Sequence, residues 1–397
     1  MAAVAIRTIH PFPARMAPGL ALESLQALPA DSCVLDPMSG SGTVLRQASE
    51  LGLKAVGFDV DPLAVLMSRV WTSPADDEKI GHLAASLKEI AFDSTATPLD
   101  HFVDEETAAF IRYWFADQQI DQLTRLAQGI VDLRLQHTDE GEKRALDVLA
   151  LNLSRIIVTK EQAASLARDT SHSRPHRVSL TSNYNVFDGY AHSLKHLRHR
   201  LKSNPTSARV RVELGDARHL DSLAAASVDA VVTSPPYLNA IDYLRGHRMA
   251  LVWLGWSIKE LRSIRSGSIG AERGPNPDGS ETAIHEVVNA MLDGASADTR
   301  HLRMIHRYAY DLRDSALEVA RVLKKGGHAT FVVGNSCLKG TFIKNSEGVA
   351  QAAGQAGLEE VARSERDLPQ GSRYLPVTGA SLAKRMRTET VLTFRLT

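Results

Sequence analysis

Cysteine is scarce in this 397-residue chain: Cys33 and Cys337 are the only two, and they lie far apart. Two distant thiols exclude a disulfide framework and a cysteine-built zinc cluster, and they point to a reducing compartment, the cytoplasm. An excess of charge is also lacking, with 46 Lys and Arg against 46 Asp and Glu, so any nucleic-acid contact has to come from a local patch. No apolar run reaches the ~18 residues of a membrane span. The N-terminus has no apolar signal-peptide core, so no membrane partner is expected. Repeats and low-complexity tracts are missing too. The fifteen histidines show no metal spacing. His192, His196 and His199 share one helix face, but the Lys and Arg around them would repel a cation, so no metal site is expected. What is present is a 44% hydrophobic composition, enough for one large α/β domain with insertions or for two domains.

Thr233-Ser234-Pro235-Pro236-Tyr237 is the most informative stretch. It follows 227–232, which reads as a buried strand led in by a turn. The two prolines fix φ and remove two backbone donors, so the carbonyls between them are rigid and open to a ligand. A hydroxyl in front and an aromatic ring behind suit a planar base that carries an amino group. The ring stacks, while the hydroxyl and a carbonyl take the two amino hydrogens. Alone, the five residues suit a proline-stiffened loop as well.

A second motif sharpens the choice. Val34-Leu35-Asp36-Pro37-Met38-Ser39-Gly40-Ser41-Gly42-Thr43 runs from an apolar strand into an acid, a glycine turn and a helical stretch from Val44 to Leu51. Glycines there let a ligand approach the backbone, and the helix start offers free N–H groups. A second strand, 54–58, ends at Asp59, about 20 residues beyond the glycines, the spacing at which a doubly wound fold sets a carboxylate on ribose hydroxyls. Asp61 reads as the cap of the next helix.

Together these stretches resemble the DNA amino-methyltransferases that use S-adenosylmethionine. Asp36 to Thr43 is similar to their cofactor loop, and Ser234-Pro235-Pro236-Tyr237 to their catalytic motif. Serine in first place resembles the cytosine-N4 branch, and so does His10-Pro11-Phe12-Pro13-Ala14-Arg15-Met16. The likeness covers 5–65, 208–245 and, more loosely, 315–396, and leaves roughly 75–205 unassigned. It implies a Rossmann-like class I methyltransferase fold, with a mostly parallel seven-stranded sheet, an antiparallel last strand and a largely helical insertion. It also implies cofactor contacts from Arg15, Asp36, Pro37, Gly40, Ser41, Gly42, Thr43, Asp59 and, at the adenine amino group, Asp216. Catalysis would fall to Ser234, Pro235, Pro236 and Tyr237, acting on a base flipped out of duplex DNA. A cognate restriction endonuclease is a compatible partner.

The chain order predicts a catalytic core split by an insertion. The core begins at 1–75 with the cofactor loop, a helical and basic insertion for target recognition fills 76–207, and the core resumes at 208–397 with a smaller insertion at 240–310. Further strands are expected at 210–214, 228–232, 328–333, 358–366 and 390–396, and a helix over about 304–323 stopped by Lys325-Gly326-Gly327. Phe110, Tyr113, Trp114 and Phe115 read as core. Arg174, Arg177, Lys195, Arg198, Arg200 and Lys202 form the phosphate-facing patch, with Arg245 following the catalytic loop. Asn239, Asp242 and Tyr243 either close over the base or hold the loop from behind. The sequence argues against carbon-5 methylation, which needs a nucleophilic cysteine in the catalytic loop: Cys33 lies in the first strand, Cys337 beyond the fifth, and neither follows a proline. Adenine-N6 methylation, an RNA substrate and a non-catalytic cofactor-binding subunit remain as alternatives to cytosine N4.

Overall fold

The computed structural model describes residues 8–12, 16–93, 97–159, 163–168, 175–203, 206, 209–238, 242–270, 280–367 and 388–397. The chain divides into two compact units. One comprises 1–13, 61–208 and 241–264, the other 14–60, 209–240 and 265–397.

The second unit is built on one sheet. Its strands are β1 (Cys33–Asp36), β2 (Lys54–Asp59), β3 (Val210–Leu214), β4 (Val228–Thr233), β5 (Leu323–Gly334), β6 (Leu358–Asp367) and β7 (Thr388–Leu396), in the order β6-β7-β5-β4-β1-β2-β3. β1 pairs in parallel with both β2 and β4, β2 with β3, and β4 with β5. Only β7 runs against its neighbours β5 and β6. This is the class I methyltransferase sheet. The apolar runs of β1 and β4 follow from it, because strands at the centre of a parallel sheet are covered on both faces. Val34, Leu35, Val231 and Val333 are fully buried. Helices Glu281–Leu292, Thr299–Val322 and Asn345–Gln355 complete this core through Val287, Met291, Ile305, Val319 and Ala353.

Lys325-Gly326-Gly327 does not lie outside a strand, as its composition suggests. The long helix ends at Val322, and β5 starts at Leu323. The β4–β5 register shifts between Val228 and Ala230, and Gly326 takes a positive φ of 79°. A Cβ on Gly327 would come within 2.8 Å of the Asp229 carbonyl, so the two glycines permit an irregularity inside the strand.

The first unit is largely helical, with Pro62–Thr72, Asp77–Asp93, Glu105–Trp114, Asp117–Gln136, Glu140–Arg155, Val186–Lys202 and Tyr243–Leu251. Asp61, Asp104, Asp139, Asn185 and Asp242 cap five of these through side-chain bonds to backbone N–H groups. The core is aliphatic around Ile111, Leu123, Leu146, Leu149 and Leu197, with Phe115 packed edge-on against Trp253 at 5.2 Å. Trp114 and Phe115 are core, as expected, but Tyr113 is 53% exposed, with the Arg177 guanidinium 5.1 Å from its ring. No described helix is long and apolar enough to cross a membrane.

Candidate active site

Strands β1, β2, β3 and β4 end on one edge of the sheet, and the residues singled out in the sequence follow those ends. Asp36 closes β1 and is 3% exposed. Its Oδ1 accepts from Thr233 Oγ1 at 2.8 Å and from Met38 N–H at 3.2 Å. Thr233 is the last residue of β4, so this bond ties the glycine turn directly to the Ser-Pro-Pro-Tyr segment. Gly40 (φ 50°) and Gly42 (φ 88°) take left-handed conformations that a side chain would strain. Gly40 N–H donates to Asp59 Oδ2 at 2.8 Å, and Ser39 N–H to the Phe58 carbonyl at 2.8 Å. The turn is thereby laced to the end of β2. Gly42 precedes helix Thr43–Glu50, whose start has no side-chain cap.

Asp216, beyond β3, meets Arg218. Oδ1 accepts from Arg218 Nε at 2.9 Å and from its backbone N–H at 3.0 Å, and Oδ2 accepts from Nη2 at 2.5 Å. A carboxylate offers about four acceptor sites, so the spare capacity lies on Oδ2. Burial works against the charged form of Asp216, but the Arg218 bonds outweigh it and hold the carboxyl below its ordinary range. Arg218 also reaches the buried Asp311 at 2.6 Å and the Gly267 carbonyl.

The catalytic candidates are fixed one by one. Ser234 Oγ donates to the Val332 carbonyl at 3.0 Å. The Pro236 carbonyl accepts from Tyr308 OH at 2.9 Å, and the Leu238 carbonyl from Ser336 Oγ at 2.6 Å. No donor among the described residues reaches the Pro235 carbonyl. Tyr237 OH bonds Glu389 Oε1 at 3.2 Å, and Arg366 holds Glu389 at 3.1 Å. The Tyr237 ring lies so close to Gly334 that a Cβ there would sit 2.5 Å from it. Arg218, Tyr308, Gly334 and Glu389 were not singled out from sequence. The Asp-x-Arg spacing after β3 is the one signal that could have drawn attention to Arg218.

The basic patch divides. Arg198 and Lys202 both pair with Asp77, at 2.6 and 2.7 Å, and Arg200 donates to the Thr8 carbonyl. Arg245 pairs with its own cap residue Asp242 at 3.5 Å. Lys195 has no carboxylate partner among the described residues, and Arg177 stacks on Tyr113. His192 and His196 touch each other at 3.1 Å, and the described residues hold no metal-binding cluster of three or more acidic, His or Cys groups. Both cysteines are free and half-buried. Arg15, Arg174 and Asn239 lie outside the described residues.

The glycine turn after β1 suits a cationic ligand with hydroxyls and an amino group. Asp36 is a buried carboxylate with two donors, and Ser39 Oγ is buried with no hydrogen-bond partner among the described residues. The sheet defines a class I methyltransferase fold. By sequence the chain is similar to two Type II methyltransferases. It is 24% identical to M.MvaI of Kocuria varians, over 83% of this chain and 77% of that one. It is 23% identical to M.BsoBI of Geobacillus stearothermophilus, over 59% of this chain and 50% of that one. No family model matches. Among solved structures, a TehB-like SAM-dependent methyltransferase from Corynebacterium glutamicum shares 8% identity at a TM-score of 0.31, covering 96% of this chain and 87% of that one. The rRNA methyltransferase aviRa of Streptomyces viridochromogenes shares 13% at 0.32, covering 99% and 90%. The fold assignment rests on the strand order, not on these likenesses. That fold and the methyltransferase relatives imply S-adenosylmethionine as the cofactor.

Burial pushes the Asp36 carboxyl up to about 7; the Thr233 and Met38 bonds oppose this, and the nearby Asp59 charge adds to it. A folded-state value above the unfolded one means that the native state holds the extra proton. This contribution to stability is therefore complete at pH values below ~4, declines as pH rises toward ~7, and is constant above. Asp36→Asn removes it. The difference in melting temperature between the variant and the wild type is expected to move in favour of the variant between those limits. Parallel curves across that range would show that Asp36 ionises as it does in water.

Proposed function

We propose that the chain is an S-adenosylmethionine-dependent DNA methyltransferase acting on the exocyclic N4 amine of cytosine. The observation that carries this is the 2.8 Å Thr233–Asp36 bond, which ties the cofactor loop to the Ser-Pro-Pro-Tyr segment at adjacent strand ends. Asp36, Gly40 and Asp59 would hold the methionine and ribose portions, and the remaining site on Asp216 Oδ2 the adenine amino group. Bound there, the cofactor supplies an electrophilic methyl group on a cationic sulfur.

The acceptor is a poor nucleophile, because its lone pair is conjugated into the ring. Ser234 has its proton committed to the Val332 carbonyl, so its free lone pairs accept one amine hydrogen. The Pro235 carbonyl accepts the other. Electron density on nitrogen rises without a strong base, and positioning and electrostatics supply the rate enhancement. Tyr237, pinned at its hydroxyl, stacks on a base that has left the duplex. Serine in first place favours cytosine over adenine by family resemblance.

The helical unit is proposed to carry target recognition, with phosphate contact from Arg177 and Lys195, which have no carboxylate partner among the described residues; Arg200 has none either but donates to the Thr8 carbonyl. The Type II relatives extend the proposal to a restriction–modification role with a partner endonuclease.

Incubation with S-adenosylmethionine and unmethylated genomic DNA, followed by nucleoside mass spectrometry, is expected to yield N4-methylcytosine. N6-methyladenine would reverse the base assignment while keeping the mechanism, and no methylated nucleoside in DNA would sink the proposal. In a separate test, Ser234→Ala is expected to lower kcat on the order of a hundredfold while cofactor affinity stays near wild type. Wild-type turnover in that variant would remove Ser234 from the mechanism.

A further inference from the structure

Helix Thr299–Val322 has no place in the mechanism above, yet it sends one polar group to the catalytic segment. Tyr308 is completely buried, and its hydroxyl donates to the Pro236 carbonyl at 2.9 Å. A phenol hydroxyl in an apolar core is costly unless it is bonded, and phenylalanine would fill the same volume without that cost. The ring is walled by the aliphatic core of this unit, and its edge lies near Gly270, where a Cβ would stand 3.6 Å away. The hydroxyl is always a donor: burial above all, with the nearby Tyr237 and Asp311 adding to it, raises its pKa far beyond the ordinary range.

The consequence falls on the proline pair. Pro235 and Pro236 have no N–H, so neither can anchor the segment by donating a backbone bond, and their carbonyls are held only by donors from elsewhere. The segment is held from its flanks by Thr233 on Asp36, Ser234 on Val332 and Ser336 on the Leu238 carbonyl. Between those anchors, among the described residues, Tyr308 supplies the one bond to a proline carbonyl, and it takes Pro236. Locking that peptide restrains the preceding one, whose Pro235 oxygen is the proline carbonyl that no donor among the described residues engages.

We propose that Tyr308 is a positioning residue for methyl transfer: by holding the Pro236 carbonyl it fixes the Pro235 carbonyl in the geometry that accepts the target amine. This rests on the function proposed above. Tyr308 touches neither substrate nor cofactor, so its effect appears in turnover and not in binding.

The test compares Tyr308→Phe with the wild-type full chain by two readouts. In steady-state kinetics, kcat is expected to fall about tenfold or more, the scale for sub-ångström to ångström misplacement of a reacting group. KM for DNA and the dissociation constant for S-adenosylmethionine should stay within about twofold, a split that general destabilisation would not give. In hydrogen–deuterium exchange, the amides of Thr233, Ser234, Tyr237 and Leu238 should exchange faster while those of 33–36 stay as in wild type. Unchanged exchange in 233–238 overturns the proposal whatever the activity. Faster exchange with wild-type kcat overturns it too, because the order of the loop would then not limit transfer. If the wild-type chain transfers methyl to no nucleic acid but exchange still rises in the variant, the clamp stands and the proposed reaction falls.

Discussion

The site depends on a hydrogen bond between two side chains that a sheet core would ordinarily exclude. Asp36 and Thr233 are both buried, and they face each other only because β1 and β4 are neighbours in register, with Val34 opposite Ala230 and Leu35 opposite Val231. A parallel sheet delivers all its carboxyl ends to one edge, so the glycine turn after β1 and the proline pair after β4 begin within one hydrogen bond of each other. Moving either strand by one residue would turn these polar groups to the wrong face and separate the two loops. The raised pKa of Asp36 is the cost of that arrangement: the carboxylate is kept short of water so that it can organise two loops.

The Ser-Pro-Pro-Tyr segment shows how rigidity is achieved where the backbone cannot bond itself. Prolines limit the unfolded chain as well as the folded one, so some of the order of 234–237 is in place before any contact forms. The rest is supplied by side chains from distant elements: Tyr308 from the long helix, Ser336 from the segment beyond β5, and Glu389 from the start of β7. Gly334 contributes by what it lacks, since the Tyr237 ring occupies the space a Cβ would need. A segment held from three elements can be stiff although Ser234, Pro236 and Tyr237 are only partly buried.

The features legible in the sequence are those in which the backbone makes a demand on residue type. Gly40 and Gly42 announce positive φ, Pro235 and Pro236 announce missing donors, Asp61 announces a helix start, and the Val-rich runs announce strands buried on both faces. The sheet and its antiparallel last strand followed from these together with family resemblance. Bonds made across the chain were not legible. Arg218 meets Asp311 from 93 residues away, and Asp77 gathers Arg198 and Lys202 from more than a hundred. Composition cannot distinguish a cation that faces water from one that is already paired. Lys325-Gly326-Gly327 misled for a related reason: a helix-stop signature and a strand irregularity use the same residues, and the packing against Asp229 selects the second.

Internal pairing of cations also governs how a neutral chain could hold a polyanion. Charge counted along helix Val186–Lys202 suggests a broad basic face, but Arg198 and Lys202 are engaged by Asp77 and Arg200 by a carbonyl. Such pairing stabilises the helical unit and lowers its long-range field, so few phosphates would be neutralised and the salt dependence of binding would be shallow. Affinity would then lean on contacts that salt does not screen. Tyr113, half exposed with the Arg177 guanidinium 5.1 Å from its ring, sets an uncharged aromatic face beside a cation on the surface of the helical unit. An enzyme that must distinguish one site among many gains from this balance, because weak non-specific attraction leaves the discriminating contacts to set the outcome.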